Sequence, residues 1–238
     1  SPLTVSTNGE ASHPGPSESA RFSSVNMTAM STQWRNVKRL PADIYCAQEV
    51  RLTDAEILRW RTLLEEEGWS CVFGKPLPER RSPTDVAPGG VAIVSPSFPL
   101  REVPPDCEEA KWLYDTMRFC HVVVPFGRDA RDAWHVVSVY GYSGNYPEVK
   151  RKNEELLEKI FAFLARLGNV PVVLGGDLNT QMHESAQLTG VMEGGQYFDL
   201  AQMQADMRDE QPQPTCFVRD TSGGTRIDYL IANHVAVA

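Results

Sequence analysis

The segment PVVLGGDLN, residues 171–179, is the most informative stretch of this chain. It begins with a run of apolar and β-branched residues of strand length, which predicts a buried β-strand. The run then ends abruptly in two glycines, which are followed by Asp177 and Asn179. An aspartate at a turn after a strand is ordinary loop chemistry when it is taken alone. The segment therefore predicts a strand with a carboxylate and an amide at its carboxyl end.

Three other predicted strands also run apolar and then end in polar side chains. They end at Val25-Asn26, at Ala47-Gln48-Glu49 and at VYGYSGN, residues 139–145. A fifth strand differs, because it carries Asp228 in its interior. Burying a charge inside a strand costs several kcal/mol unless the charge is paired or lies near a metal ion. Arg226, which points to the same face two residues earlier, is the predicted partner of Asp228.

Around these motifs, short β-type runs alternate with helical stretches. The predicted strands cover residues 22–27, 43–49, 90–95, 118–125, 134–140, 171–179 and 225–232. A helix is predicted over 53–67, where Thr53 and Glu56 form an N-terminal cap, and another over 148–167, before Gly168. The strands at 118–125 and 134–140 are predicted to form an antiparallel pair. This order favours two sheets covered by helices over a doubly wound parallel sheet.

The 238 residues are predicted to form a leader and one domain. Residues 1–20 are rich in Ser, Pro and Gly and are expected to be disordered, whereas residues 21–238 form the domain. A mean hydropathy of −0.32 without a long apolar run excludes a membrane-embedded protein, and no secretory signal is found. The net charge of −8 argues against a protein that coats nucleic acid, but a metal-dependent enzyme needs carboxylates. The five scattered cysteines predict free thiols.

The order of the motifs resembles the endonuclease/exonuclease/phosphatase superfamily, the DNase I-like nucleases and phosphoesterases. The resemblance runs from about Phe22 to Asn233, and the motifs that carry it are Asn26, Gln48-Glu49, GVAI at 90–93, YSGN at 142–145, GDLN at 176–179 and RIDY at 226–229. Within the superfamily the chain is most similar to the apurinic-type endonucleases of LINE-type retrotransposons. The resemblance implies an α/β fold, a four-layer sandwich of two mainly antiparallel sheets that pack together and are flanked by helices, with the last strand missing.

The resemblance implies that the site hydrolyses a phosphodiester with the help of a metal ion. Glu49 would be the principal metal ligand, with Asn26 and Asp228 beside it. Asp177 would orient or deprotonate the attacking water. The cofactor would be Mg²⁺, with Mn²⁺ as the alternative, because carboxylate oxygens suit hard cations that stabilise the charge of the phosphate.

The same resemblance assigns residues to the substrate. Asn179 would hold the phosphate, and Tyr142 would donate a hydrogen bond to the phosphate or to the leaving group. Asn145 would support Tyr142, while Thr215 and Arg226 would complete the substrate-binding set. Amide side chains suit this task because they donate to phosphate oxygens without adding negative charge.

The chain departs from the family pattern at its carboxyl end. That pattern closes with a Ser-Asp-His element whose histidine contacts the scissile phosphate, and the sequence reaches Ala238 without it. The element would also supply a closing strand, so residues 226–232 are expected to lie next to an exposed sheet edge. We therefore expect a truncated domain with weak or no hydrolysis. The histidines are expected to be structural, with His183 as the candidate that could approach the site.

The leading hypothesis is a metal-dependent DNA endonuclease domain of retroelement type. The alternatives are a relative that acts on RNA or an inositol phosphate, and a noncatalytic remnant that serves as an interaction module. The expected partner is nucleic acid, preferably DNA, and not a membrane. An intracellular location is expected by exclusion, and a nuclear one if the retroelement assignment holds.

Overall fold

The computed structural model describes residues 3–7, 20–78, 89–125, 133–216 and 224–237, which form two β-sheets with helices on their outer faces. Most of the Pro- and Gly-rich loop predicted after Leu77, and most of the loop between the paired strands at 118–125 and 134–140, lie outside these ranges. None of the helices in the described ranges combines the length and the apolar character that crossing a membrane requires.

The first sheet has five strands in the order β1-β2-β3-β5-β4. They are β1 (Leu3–Thr7), β2 (Ala20–Asn26), β3 (Ile44–Gln48), β4 (Ser70–Phe73) and β5 (Val91–Ser95). The β2–β3 pair is parallel, and the other pairs are antiparallel. The carboxyl ends of β2 and β3 therefore meet at one edge, with Asn26 opposite Gln48.

The second sheet has six strands in the order β10-β11-β9-β8-β7-β6. They are β6 (Arg101–Glu102), β7 (Phe119–Pro125), β8 (Ala133–Tyr140), β9 (Val172–Asp177), β10 (Tyr197–Asp199) and β11 (Asp228–Asn233). Its β8–β9 pair is parallel, which places Tyr140 opposite Asp177. The β7–β8 pair is antiparallel, as the sequence predicted.

Helices cover the two outer faces and complete four layers. They are α1 (Met30–Val37), α2 (Asp54–Glu66), α3 (Glu108–Asp115), α4 (Pro147–Arg166), α5 (Ala186–Glu193), α6 (Leu200–Asp206) and α7 (His234–Val237). Alternation along β8 shows how the layers form, because Val136 packs between the sheets while Val137 packs against the helices that cover the second sheet. A third apolar cluster joins α1 and α2 to the first sheet. The predicted four-layer α/β architecture with mainly antiparallel sheets is confirmed.

The glycines before Asp177 allow the sheets to approach closely. A Cβ atom on Gly175 would lie 2.6 Å from the Cβ of Cys46 in the first sheet. A Cβ atom on Gly176 would lie 2.6 Å from the backbone oxygen of Val139 in the neighbouring strand. Real Cβ atoms do not approach this closely, so only glycine fits at these two positions. The Gly-Gly pair in the sequence therefore reflects the packing of β9 on both sides.

The two helices predicted from the sequence are present. Helix α2 begins after Thr53, whose backbone N–H donates to the Glu56 carboxylate at 2.9 Å in the predicted capping box. Helix α4 ends before Gly168, which has a φ of +76°. A left-handed residue at this position ends the helix with little strain only when it is glycine.

The ends of the two sheets differ in part from the predictions. Within the expected disordered leader, residues 3–7 form strand β1, which pairs with β2, while residues 1, 2 and 8–19 lie outside the described ranges. The physical reason is local, since LTVST at 3–7 is rich in β-branched residues that favour strands. Residues 226–232 were expected to lie next to an exposed sheet edge. In the structure β11 pairs with β9 on one side, and on the other side β10 pairs with its residues 231–233.

His121 and His135 lie side by side in β7 and β8, as expected of structural sheet residues. Nε2 of His121 lies 2.9 Å from Nδ1 of His135, and the rings stack at 5.1 Å between centroids. Burial, reinforced by repulsion from His135, lowers the pKa of His121 to about 3. Burial also lowers the pKa of His135. The pair is therefore neutral at physiological pH.

This pair predicts loss of stability in acid. The unfolded chain protonates His121 below about pH 6.5, whereas the folded chain does so only near pH 3. Stability is thus fully present above the unfolded pKa and falls as the pH drops below it. Lowering the pH from 7.5 to 5 should cost the wild type about 2 kcal/mol more than it costs His121→Gln. Urea unfolding at both pH values measures this difference, and an equal loss in the two proteins would contradict the assignment.

Candidate active site

Polar side chains from both sheets meet at one edge of the sandwich. The first sheet contributes Asn26 at the end of β2 and Glu49 directly after β3. The second sheet contributes Asp177 at the end of β9, and Asp228 lies opposite Asp177 because β11 runs antiparallel to β9. The strand ends predicted from the sequence to carry polar groups thus converge.

Asn26 connects the two sheets at this edge. Its Nδ2 donates to Oδ2 of Asp177 at 2.7 Å and approaches Oε1 of Glu49 at 3.5 Å. Its Oδ1 accepts from the backbone N–H of Thr28 at 2.9 Å, which fixes the orientation of the amide. Its nitrogen thus faces the two carboxylates and helps to hold them in position. The role of Asn26 as a metal ligand stays a prediction.

Glu49 is surrounded by donors that favour its ionised form. The hydroxyl of Tyr140 donates to Oε1 at 2.5 Å, and the guanidinium of Arg51 forms an ion pair with Oε2. Burial alone would raise the pKa of Glu49, but hydrogen bonds from Tyr140 and Arg51 outweigh it and hold the pKa below its usual value. Glu49 and Arg51 also have φ values of +52° and +54°, a conformation that costs about 1 kcal/mol in a residue with a side chain. Backbone strain thus accompanies the placement of this carboxylate.

Asp177 is the buried carboxylate of the group, with 5% of its surface exposed. Its Oδ1 accepts from the backbone N–H of Asn179 at 3.1 Å, and its Oδ2 accepts from Asn26. Burial, with repulsion from the charge of Asp228, raises the pKa of Asp177 to about 7. A carboxyl group with this pKa exchanges a proton readily at neutral pH, which is the property of a general base.

Asp228 is held by Thr215, which lies beside the start of β11. Burial raises its pKa, while a hydrogen bond to Thr215 acts in the opposite direction. The Thr215 hydroxyl also accepts from the backbone N–H groups of Ile227 and Asp228, each at 3.1 Å. Thr215, predicted from the sequence to contact substrate, therefore also fixes the start of β11.

Arg226 forms its ion pair with Asp199, although the sequence indicated Asp228 as the partner. The Arg226 and Asp199 side chains are 16% and 8% exposed, and Asp199 also caps helix α6. The Arg226 guanidinium lies 4.7 Å from the centre of the Tyr229 ring. Its charge still lowers the pKa of Asp228. The substrate-binding role of Arg226 stays a prediction. The correction arises because β10, which the sequence did not reveal, brings Asp199 beside Arg226.

The loop after β8 places the other predicted residues. Asn179 has a φ of +50°, and its Nδ2 donates to the backbone oxygen of Gly141 at 3.2 Å. Tyr142 exchanges two backbone hydrogen bonds with the Asn153 side chain, at 2.7 and 2.9 Å. Asn145 is exposed further along this loop. The phosphate-binding roles of Asn179, Tyr142 and Asn145 stay predictions.

Sequence reasoning missed two residues of this site. Tyr140, and not Tyr142, is the tyrosine whose hydroxyl reaches Glu49. Arg118 lies over both rings, 4.9 Å from the centre of Tyr140 and 4.1 Å from that of Tyr142, and donates to the backbone oxygen of Gly141 at 2.7 Å. Tyr140 could have been found, because it ends an apolar strand as Glu49 does. Arg118 gives no such signal in the sequence.

The histidines stand apart from the carboxylates. His183 lies exposed in a 3₁₀ turn at Met182–Glu184, and His234 is exposed at the start of α7. In the described ranges, no hydrogen bond joins a histidine to Glu49 or Asp177. The expectation that His234 is exposed to solvent agrees with this placement.

An open cleft of about 480 Å³ gives access to the carboxylates. Asn26, Asp177 and Asp228 line one side of it, and Thr215 and Cys216 lie alongside. Helix α1 provides a further wall that carries the uncharged side chains of Gln33 and Asn36. A phosphodiester could therefore reach these residues from solvent. We call the edge formed by Asn26, Glu49, Asp177 and Asp228 the acidic edge.

The donor chemistry at this edge fits a hard divalent cation. The charges of Asp228 and Glu49 both raise the pKa of Asp177, so three acidic groups repel one another here. A cation between oxygen donors would relieve that repulsion. Among the described residues, no three His, Cys, Asp or Glu side chains are already closed around one point. Glu49 and Asp228 are the residues that would hold such an ion.

Comparison with known proteins identifies a family and a fold. The family model described as Endonuclease/Exonuclease/phosphatase matches residues 32–238. No curated protein sequence gives a significant match.

Solved structures with the same fold include nucleases of several kinds. An AP endonuclease from Archaeoglobus fulgidus superposes with a TM-score of 0.65 at 16% identity, covering 89% of this chain and 86% of that one. A 3′ phosphatase from Neisseria, bound to a product DNA hairpin, gives 0.64 at 19% identity, covering 90% and 87%. The endonuclease domain of a telomere-specific non-LTR retrotransposon gives 0.57 at 16% identity, covering 90% and 85%. At these identities the likeness shows the fold alone.

The raised pKa of Asp177 predicts that removing its charge stabilises the protein. Between pH 4 and 7 the unfolded chain ionises this residue while the folded chain keeps it protonated, so wild-type stability falls as the pH rises through that range. Asp177→Asn avoids this loss, but its amide nitrogen replaces one of the two oxygens that accept from Asn26 and Asn179. It should therefore be more stable than the wild type at pH 8 in EDTA by about 1–2 kcal/mol.

Denaturant unfolding at pH 5 and pH 8 measures the difference, which should grow with pH. Asp199→Asn serves as the control, because Asp199 pairs with Arg226 and its substitution should destabilise the chain. An Asp177→Asn variant that is no more stable than the wild type at pH 8 would contradict the raised pKa of Asp177.

Proposed function

Because the chain belongs to the endonuclease/exonuclease/phosphatase family, we propose that it is a metal-dependent phosphodiesterase of nucleic acid, the DNA endonuclease domain of a retroelement. The family resemblance and the DNase I-like fold predicted from the sequence are confirmed by the family match and by the solved structures. Membership places the chain among hydrolytic nucleases and phosphatases. The metal requirement and the substrate are the parts that we propose.

The observation that carries this proposal is the pair of unlike carboxylates in the cleft. Glu49 is held ionised by Tyr140 and Arg51, whereas the buried Asp177 has a pKa of about 7. Two neighbouring acids whose environments separate their pKa values are suited to different tasks. Asp177 can take a proton from an attacking water, while Glu49 provides a permanent negative charge.

Mg²⁺ or Mn²⁺, held by Glu49 and Asp228, would stabilise the negative charge that develops on the phosphate oxygens. The chain's own groups do the rest. Asn26 keeps Asp177 oriented through its amide N–H, and Asn179 holds the turn at Gly141. The Tyr140 hydroxyl restrains the Glu49 carboxylate through its hydrogen bond.

DNA is the favoured substrate because of the chemistry of the relatives. The Neisseria structure holds a DNA product, and an AP endonuclease and a retrotransposon endonuclease domain share the fold. The amides Gln33 and Asn36 on the cleft wall can pair with nucleobase edges as well as with phosphate. The retroelement assignment would place the protein in the nucleus.

A noncatalytic interaction module is the second candidate. One observation favours it. In the part of the chain that the structure describes, no histidine is hydrogen-bonded to the acidic edge. Among these residues no imidazole is placed to donate a proton to the leaving oxygen of the phosphodiester, which predicts slow turnover.

Plasmid nicking separates the two candidates. The wild type should convert supercoiled plasmid to the nicked form with Mg²⁺ or Mn²⁺ and not with EDTA. Asp177→Ala should reduce the rate by about 10²–10⁴-fold, since it removes a positioned base. Asp115→Ala, which changes an exposed aspartate paired with Lys75, is the matched control and should nick at the wild-type rate. A folded wild type that does not nick supports the interaction module, and nicking that survives Asp177→Ala contradicts the assigned base.

The metal assignment predicts a second result in the same assay. Glu49→Gln keeps the shape of the side chain but removes its charge, so half-maximal nicking should need more Mg²⁺. Tyr140→Phe removes the hydroxyl that holds Glu49 and should shift the titration about tenfold in the same direction. Tyr142→Phe should leave the titration unchanged, because its ring lies against Arg118. An unshifted Glu49→Gln titration would remove Glu49 from the metal site.

A further inference from the structure

Tyr146 is an exception among the tyrosines of this chain. It is 74% exposed, whereas Tyr45, Tyr140 and Tyr229 are each 1% exposed. In the described ranges it is the aromatic member of the exposed large apolar residues. A large aromatic ring left in solvent buries no core surface and stays available to stack on a ligand.

The loop that carries Tyr146 starts in the acidic edge and is firmly anchored. It follows Tyr140, and the N–H of Gly141 donates to the backbone oxygen of Asp177 at 2.7 Å. The buried Asn153 then holds the backbone of Tyr142 on both sides. Tyr146 itself begins helix α4, where its backbone oxygen accepts from the N–H of Lys150 at 3.1 Å. The exposed ring therefore stands on a fixed backbone six residues from a site tyrosine.

A run of three cations follows Tyr146 on the first turns of helix α4. Lys150, Arg151 and Lys152 are 49%, 69% and 44% exposed in their side chains. Their ion pairs, to Glu184, Glu155 and Glu148, span 3.0, 3.8 and 3.1 Å and lie on the surface. Exposed ion pairs contribute little to stability, so these cations can exchange their carboxylates for phosphates at low cost. In a chain of net charge −8, these three cations become available to phosphates once their glutamate partners are displaced.

We propose that Tyr146 with Lys150, Arg151 and Lys152 forms an aromatic and basic rim that binds a nucleic-acid strand with an accessible base. The Tyr146 ring stacks on the base, and the three cations contact the phosphates that flank it. This combination of an aromatic face with a cationic track is how proteins bind single strands without sequence preference. A base inside an intact duplex offers no free face, so the rim favours single-stranded or frayed segments. The inference deepens the proposed function, because it directs the site toward nucleic acid and away from small phosphoesters.

Binding measured without catalysis tests the stacking contact. In EDTA, the anisotropy of a fluorescent single-stranded DNA 12-mer gives Kd for the wild type, Tyr146→Ala and Tyr146→Phe. Tyr146→Ala should weaken binding about tenfold, while Tyr146→Phe should keep it, since the ring provides the stacking surface. Leu58→Ala, which shortens an apolar side chain that is 67% exposed on α2, is the matched control and should bind as the wild type does. Equal Kd values for Tyr146→Ala and the wild type, or no binding by the wild type, would overturn the proposal.

A Tyr146→Trp variant adds a spectroscopic test. Its fluorescence, after subtraction of the wild-type signal, should be quenched when the 12-mer is added, because a stacked indole loses emission. The Arg151→Gln variant should reduce the slope of log Kd against log salt concentration by about one, since it removes one phosphate contact. An unquenched Trp or an unchanged salt slope would contradict the stacking or the cationic part, respectively.

Failure of the proposed catalysis and failure of the proposed rim give different results. Hydrolysis of bis(p-nitrophenyl) phosphate with Mn²⁺ reports the acidic edge alone, because this ester is too small to span the rim. Tyr146→Ala should hydrolyse it at the wild-type rate, while its KM for the single-stranded substrate should rise about tenfold. If the wild type hydrolyses neither substrate yet binds the 12-mer through Tyr146, the proposed catalysis fails and the rim stands. If it hydrolyses both and Tyr146→Ala is unaffected on both, the rim is overturned and the catalysis stands.

Discussion

The hydrogen bond from Asn26 to Asp177 is the interaction on which the site depends. It joins the end of a strand in the first sheet to the end of a strand in the second, between residues 151 positions apart. The donor must be uncharged, since a cation here would neutralise the carboxylate and lower its pKa. An amide held by Thr28 on its oxygen side meets this requirement, because it supplies a directed N–H and no charge. The close contact at Gly175 and Cys46 brings the two sheets near enough for the bond to form.

The cost of this arrangement lies in its electrostatics. The chain brings three acidic groups to one edge and leaves the most buried of them half-protonated near neutral pH. Arg51 compensates Glu49 alone, and Arg226 is drawn away to Asp199. An edge of this kind stabilises the fold poorly, which is typical of sites whose carboxylates bind a ligand. This electrostatic cost distinguishes these strand ends from ordinary solvated turns.

Much of this could be predicted from the sequence, because the relevant patterns are local. Apolar runs that end at Asn26, Glu49 and Asp177 predicted the strands, and the family resemblance assigned their polar ends to one site. What the sequence did not show depends on distant partners. Tyr140 was overlooked because its hydrogen bond to Glu49 joins strands far apart in the chain. Arg226 was assigned to Asp228 because the three-residue strand that carries Asp199 is too short to show a pattern.

The sheet order also has a consequence for the time at which the site comes into existence during synthesis. Asn26 and Glu49 emerge early from the ribosome, but their counterpart Asp177 comes much later, and Asp228 enters beside it only when β11 pairs with β9. A nascent chain that lacks β11 therefore has the first sheet without an assembled acidic edge. Contacts between such distant segments form slowly, since a long loop must close before they are made. Any nuclease activity of this domain is thus withheld until translation of the second sheet is complete.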